Sequence, residues 1–83
     1  IIGASPNPFN PSTIISYETY KNDNLTILVY NVNGQLVSEL YNGYQDAGYH
    51  QIEFDGNGMS SGMYFVRISN SSALKTQKLL LMK

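Results

Sequence analysis

The amino-acid sequence predicts an all-β fold, an antiparallel sandwich of about six or seven strands. Three observations carry this expectation. Apolar residues alternate with polar ones at a period of two, turn signals recur about every ten residues, and no stretch shows helical periodicity. Seven tyrosines, seven glycines and no tryptophan in 83 residues suit short, half-buried strands joined by tight turns.

The chain opens with "SPNPFNPS" (Ser5–Ser12), which holds all three prolines. Each proline sets its own φ at about −65° and biases the residue before it (Ser5, Asn7, Asn10) toward extended geometry. Ser5–Ser12 therefore reads as a stiff strut, within a Pro-rich entry segment of residues 1–12. In Thr13–Thr19 (TIISYET), Ile15 and Tyr17 share one face with Ser16 and Glu18 opposite, the mark of a half-buried strand. "KNDN" at Lys21–Asn24 reads as a turn. Leu25, Ile27 and Val29 then alternate with Thr26, Leu28 and Tyr30 until "NVNG", where Gly34 supplies the positive φ that a hairpin turn needs. Leu36–Tyr41 should pair back on that strand.

"NGYQDAG" (Asn42–Gly48) reads as a longer loop, followed by a strand in which Ile52 and Phe54 alternate with Gln51 and Glu53. "DGNGMSSG" (Asp55–Gly62) is too rich in glycine for regular structure. It leads into Met63–Ser69, with Tyr64, Val66 and Ile68 on one face and Met63, Phe65 and Arg67 on the other. The closing strand, Leu74–Met82, is fenced by Lys75, Lys78 and Lys83, which suit gatekeepers against edge-to-edge aggregation. The pattern points to an immunoglobulin- or fibronectin-like sandwich. A small barrel is the alternative that it also allows.

At this length residues 1–83 make one domain, and folding hides only roughly 60% of the unfolded surface. Five Lys and Arg against six Asp and Glu, without a charge run, argue against nucleic acid and anionic membrane as partners. The absence of cysteine excludes disulfides and thiolate metal sites. No stretch approaches the ~18 apolar residues of a membrane-spanning helix, so no membrane insertion is expected. No metal or cofactor is expected, and the domain should be monomeric. A start at Ile1 rather than methionine suggests the C-terminal piece of a longer chain whose export signal lies elsewhere.

Signals of chemistry are weak. "GMSSG" (Gly58–Gly62) matches a nucleophile elbow, but a strand rather than a helix follows it and the only histidine, His50, precedes Ser60. No catalytic residue is assigned. "DGNG" (Asp55–Gly58) begins like a calcium loop, yet later ligand positions would fall on Met59 and Val66. His50 falls on the face of Ile52 and Phe54 and reads as a structural histidine. "PFNP" (Pro8–Pro11) fits P-x-x-P without a flanking arginine, and the sequons at Asn24 and Asn70 are short enough to arise by chance. Tyr41, Tyr44 and Tyr49 crowd one loop region, where stacked rings would suit a glycan or a partner; packing over the sandwich rim is the plainer role. Leu28, Tyr30, Met63 and Phe65 lie opposite the expected core. Should their strands be neighbours, they form an apolar patch suited to docking a parent protein or partner.

Five segments together, "PNPFNPSTIISYE" (Pro6–Glu18), "LTILVYNVNGQLVSEL" (Leu25–Leu40), "AGYHQIEFDG" (Ala47–Gly56), "SSGMYFVRI" (Ser60–Ile68) and "KTQKLLLMK" (Lys75–Lys83), resemble the type A C-terminal sorting domain of the type IX secretion system. More distantly the chain is similar to the immunoglobulin-like part of flagellar hook-capping proteins. The resemblance implies a non-catalytic sorting signal at the end of a larger secreted protein of Bacteroidota-like bacteria. Its cargo domain would lie N-terminal to residue 1, its partners being the type IX translocon and a sortase-like peptidase. The cargo would pass through periplasm and outer membrane to become secreted or held at the cell surface. By resemblance the recognition residues are Pro6, Asn7 and Pro8, with Phe9 as hydrophobic anchor, Gly48, the G-x-Y pair Gly62 and Tyr64, and Lys78, Leu79 and Lys83 of the terminal strand. A carbohydrate-binding domain, or a structural docking domain of a secreted enzyme, is the alternative function.

Overall fold

A computed structural model describes residues 2–83 and contains seven strands and no helix among them. They are β1 (Ile2–Ser5), β2 (Ser12–Thr19), β3 (Asp23–Asn31), β4 (Leu36–Gln45), β5 (Gly48–Asp55), β6 (Gly62–Ser69) and β7 (Leu74–Leu81). One sheet has the order β1-β2-β5 and the other β4-β3-β6-β7, every ladder being antiparallel. The sheets share no ladder, so the architecture is a sandwich of immunoglobulin-like form rather than a barrel.

The period-two pattern places the core. Ile15, Tyr17 and Phe54 point inward from the three-stranded sheet. Leu25, Ile27, Val29, Tyr64, Val66, Ile68, Leu79 and Leu81 meet them from the four-stranded sheet. The β3–β4 hairpin turns where "NVNG" predicts it. Gly34 adopts φ +80°, and the Asn31 side-chain oxygen accepts the backbone N–H groups of Asn33 at 2.9 Å and Gln35 at 3.0 Å.

Two segments differ from expectation, and the turn at Lys21–Asn24 is shorter than expected, since Asp23 and Asn24 already belong to β3. Asn42–Gln45 is strand rather than loop, because β3 begins at Asp23 and its first four residues pair with Gln45, Tyr44, Gly43 and Asn42. Only Asp46 and Ala47 remain to join β4 to β5. The second difference is β1, in the part of the entry segment ahead of the prolines, where the sequence carries no strand signal. Ile2–Ser5 pairs with Ile14–Tyr17 at the edge of the smaller sheet. Four residues are too few to show an alternation, so this strand exists only because β2 is there to receive it.

Candidate recognition surface

The prolines carry the chain from β1 across to the other sheet, through cis bonds at Ser5–Pro6, Asn7–Pro8 and Asn10–Pro11. A proline lacks the N–H that a ladder requires, so the strut cannot extend a sheet along its whole length. Asn7 compensates with its side chain. Its amide nitrogen donates to the Lys78 carbonyl at 2.9 Å and its amide oxygen accepts from the Leu80 N–H at 3.0 Å. Phe9 continues with its backbone: its N–H donates to the Leu80 carbonyl at 2.9 Å and its carbonyl accepts from Met82 N–H at 3.0 Å. The result is a parallel bridge from Phe9 to Leu81 along the outer edge of β7. The Phe9 ring turns into the core, 2% exposed, with its centroid 5.7 Å from that of Phe54.

Further bonds hold the strut from behind. The buried Thr13 hydroxyl donates to the Pro6 carbonyl at 2.7 Å, and Gly56 N–H donates to the Pro11 carbonyl at 2.7 Å. A Cβ on Gly56 would lie 3.0 Å from both the Pro11 oxygen and a Leu81 methyl, so this approach favours glycine. Neither residue was singled out as functional from sequence. The "DG" pair at Asp55–Gly56 is the only local signal, and it marks a turn equally well.

Gly62 and Tyr64 sit beside the same edge, opposite Leu81 and Leu79 in the β6–β7 ladder. Gly62 has φ +146°, a conformation strained for any residue with a Cβ. The Tyr64 hydroxyl donates to the Ser60 carbonyl at 2.7 Å, so "SSGMY" builds a tyrosine corner at the start of β6. Ser61 Oγ accepts from Lys83 N–H at 3.0 Å. The chain thereby brings Pro6, Asn7, Pro8, Phe9, Gly62, Tyr64, Lys78, Leu79 and Lys83 together along the β7 side of the sandwich. Of these Phe9, Tyr64 and Leu79 are buried and shape the surface from beneath, while Asn7, Lys78 and Lys83 are exposed on it.

Gly48 stands apart, at the far end of β5 from Asp55, with φ +139° opposite Thr19. Beside it a chain of hydrogen bonds links β2, β4 and β5. Tyr17 hydroxyl donates to the Gln45 amide oxygen at 3.1 Å, the Gln45 amide nitrogen donates to His50 Nδ1 at 3.4 Å, and His50 Nε2 donates to the Asp46 carbonyl at 2.8 Å. Burial, with the neighbouring Tyr41 hydroxyl, raises the Tyr17 pKa above its ordinary value. His50 is thus engaged in structure on both ring nitrogens. At the same end Asp23 accepts from the Ser71 hydroxyl and, at 3.2 Å, from its N–H; these bonds lower the Asp23 carboxyl pKa.

The three tyrosines lie in strands, Tyr41 and Tyr44 in β4 and Tyr49 in β5, and face different ways. Tyr41 packs inward against the core, and its hydroxyl donates to the Tyr44 carbonyl. Tyr44 lies opposite exposed Asn24 on the outer face of the four-stranded sheet, whereas Tyr49 lies opposite exposed Glu18 on the outer face of the other sheet. Their rings therefore do not share one flat platform. The remaining motifs are turns: Asp55 Oδ1 accepts the Asn57 N–H at 2.9 Å, and "GMSSG" forms the corner beneath Tyr64.

Residues 4–82 match the family described as the secretion system C-terminal sorting domain. The chain belongs to that family. A search of curated proteins returns no match. Domains of this family are C-terminal signals for type IX secretion, joined to a larger cargo, and are in general non-catalytic. Their role implies export to the cell surface or release. The match spans the sorting domain from β1 through the strut to the end of β7, and so includes both segments that meet at the edge.

Proposed function

We propose that this sorting domain directs a larger protein through the type IX outer-membrane translocon, and that the machinery reads the composite edge made by Pro6–Pro11 and Lys78–Lys83. The observation that carries the reading is the pair of Asn7 side-chain bonds to Lys78 and Leu80, which joins segments 71 and 73 residues apart. Such an edge exists only in the folded domain. A receptor that recognises it accepts cargo whose tail has folded and passes over unfolded tails with the same residues. On this reading the domain is a substrate without catalysis of its own, and a sortase-like peptidase removes it as the cargo is released or anchored.

The test is a fusion of residues 1–83 to a periplasmic reporter in a bacterium that has the system. Export of the reporter is expected. Asn7→Ala combined with Lys78→Ala and Lys83→Ala, all at exposed positions, should leave the domain folded and reduce export severalfold. Export at the unmodified level by that triple variant, with the fold checked by circular dichroism, sinks the assignment of this edge.

A further inference from the structure

The outer face of the four-stranded sheet meets the composite edge only along β7, at Lys78 and Leu80, yet its composition is unusual for a solvated surface. The ladders set Leu36, Tyr30, Phe65 and Lys78 in one row, and Glu39, Leu28, Arg67 and Thr76 in the next. Met63 and Leu80 pair beyond the first row. Val32 at the hairpin tip is 64% exposed and Leu36 is 55% exposed.

Within this apolar field lies one oriented cation. The Arg67 guanidinium stands 4.8 Å from the centre of the Tyr30 ring, and among the described residues it has neither a carboxylate partner nor a hydrogen bond. Stacking holds the planar fork without using its N–H donors. Beside it a shallow hollow of about 400 Å³ opens between Tyr30, Phe65 and the Asn31–Gly34 turn. A carboxylate matches the fork in shape and charge, and apolar side chains match what surrounds it.

We propose that this face docks an apolar protein segment carrying one acidic side chain, with Arg67 as receptor for the carboxylate. Lys78 adds positive charge on the β7 side and Glu39 places negative charge on the β4 side. The acidic group is therefore steered toward β6 and β7. Two cations amid apolar side chains are too few for a nucleic acid or an anionic bilayer. Covering the hollow removes water from the pair and strengthens it, so docking and charge recognition support one another.

The probe is the capped peptide acetyl-VLELV-amide, titrated into the isotopically labelled 83-residue chain and followed by amide chemical shifts. Shifts at Tyr30, Val32, Phe65 and Arg67 are expected, and the glutamine counterpart acetyl-VLQLV-amide should bind about tenfold more weakly. Arg67→Met should abolish the difference between the peptides, and Arg67→Lys should restore only part of it. Equal binding of both peptides to the unmodified chain overturns the proposal. So do shifts confined to the Ser71–Lys75 segment, away from the hollow, or no shift at millimolar peptide.

Discussion

Replacing Phe9 by alanine should do more damage than its place in a proline-rich segment suggests. The ring is 2% exposed and packed against Phe54 at a centroid distance of 5.7 Å. The strut cannot simply slide inward to fill the space, because the Phe9 backbone is bonded to both Leu80 and Met82. Deleting a buried phenyl ring from a site that cannot collapse costs about 3–5 kcal/mol. A domain of this length has a total stability of roughly 4–12 kcal/mol, so the variant loses a large share of it. At about 4–8 °C per kcal/mol for domains of this size, Tm should fall by more than ~10 °C. Urea denaturation followed by circular dichroism measures the loss, with Phe65→Ala as the matched control. The Phe65 ring sits half-buried on the outer face, so its loss should cost clearly less. A double-mutant cycle with Phe54→Ala should show coupling of about 0.5–1.5 kcal/mol from the ring pair. A Phe9→Ala variant within about 1 kcal/mol of the parent, or no weaker than Phe65→Ala, would refute the strut's place in the core.

Tyr64→Phe removes the bond to Ser60 and should lower stability by about 1–2 kcal/mol in the same denaturation experiment. Gly62→Ala, forced to keep φ +146°, should cost about 1–3 kcal/mol, read as a fall in urea midpoint with unchanged slope. Tyr17 has a folded pKa above its ordinary 10.0, so its contribution is complete below about that value and is lost as pH rises through the folded pKa. Stability measured against pH should therefore fall on the alkaline side, less steeply in Tyr17→Phe. Asp23 has the opposite sign: its folded pKa lies below the ordinary 3.8, so its contribution holds above that value and is lost as pH falls through the folded pKa. Asp23→Asn should flatten the acid limb.

Much of the fold was legible because its signals are local. In β3 and β6 the alternating residues Leu25, Ile27, Val29 and Tyr64, Val66, Ile68 are buried as their parity predicts. Asn31 and Gly34 close their hairpin through contacts within the turn. The C-terminal half of β4 was not legible, since Asn42, Gly43 and Tyr44 have the composition of a loop and become strand only through pairing with Asn24–Thr26. The tyrosine cluster misled for a related reason. Nearness in sequence says nothing of which sheet, and hence which outer face, Tyr44 and Tyr49 will occupy.

The sequence by itself determined the class of fold, the inward face of most strands, the hairpin turns and the family to which the chain belongs. Only the tertiary structure decided that Asn7 and Phe9 close the edge of β7, that Ile2–Ser5 is a strand, and that Arg67 lies over Tyr30. The reason is physical. Alternation and turn chemistry act over a few residues, whereas a bond between segments 71 residues apart depends on which strands the whole sandwich brings side by side.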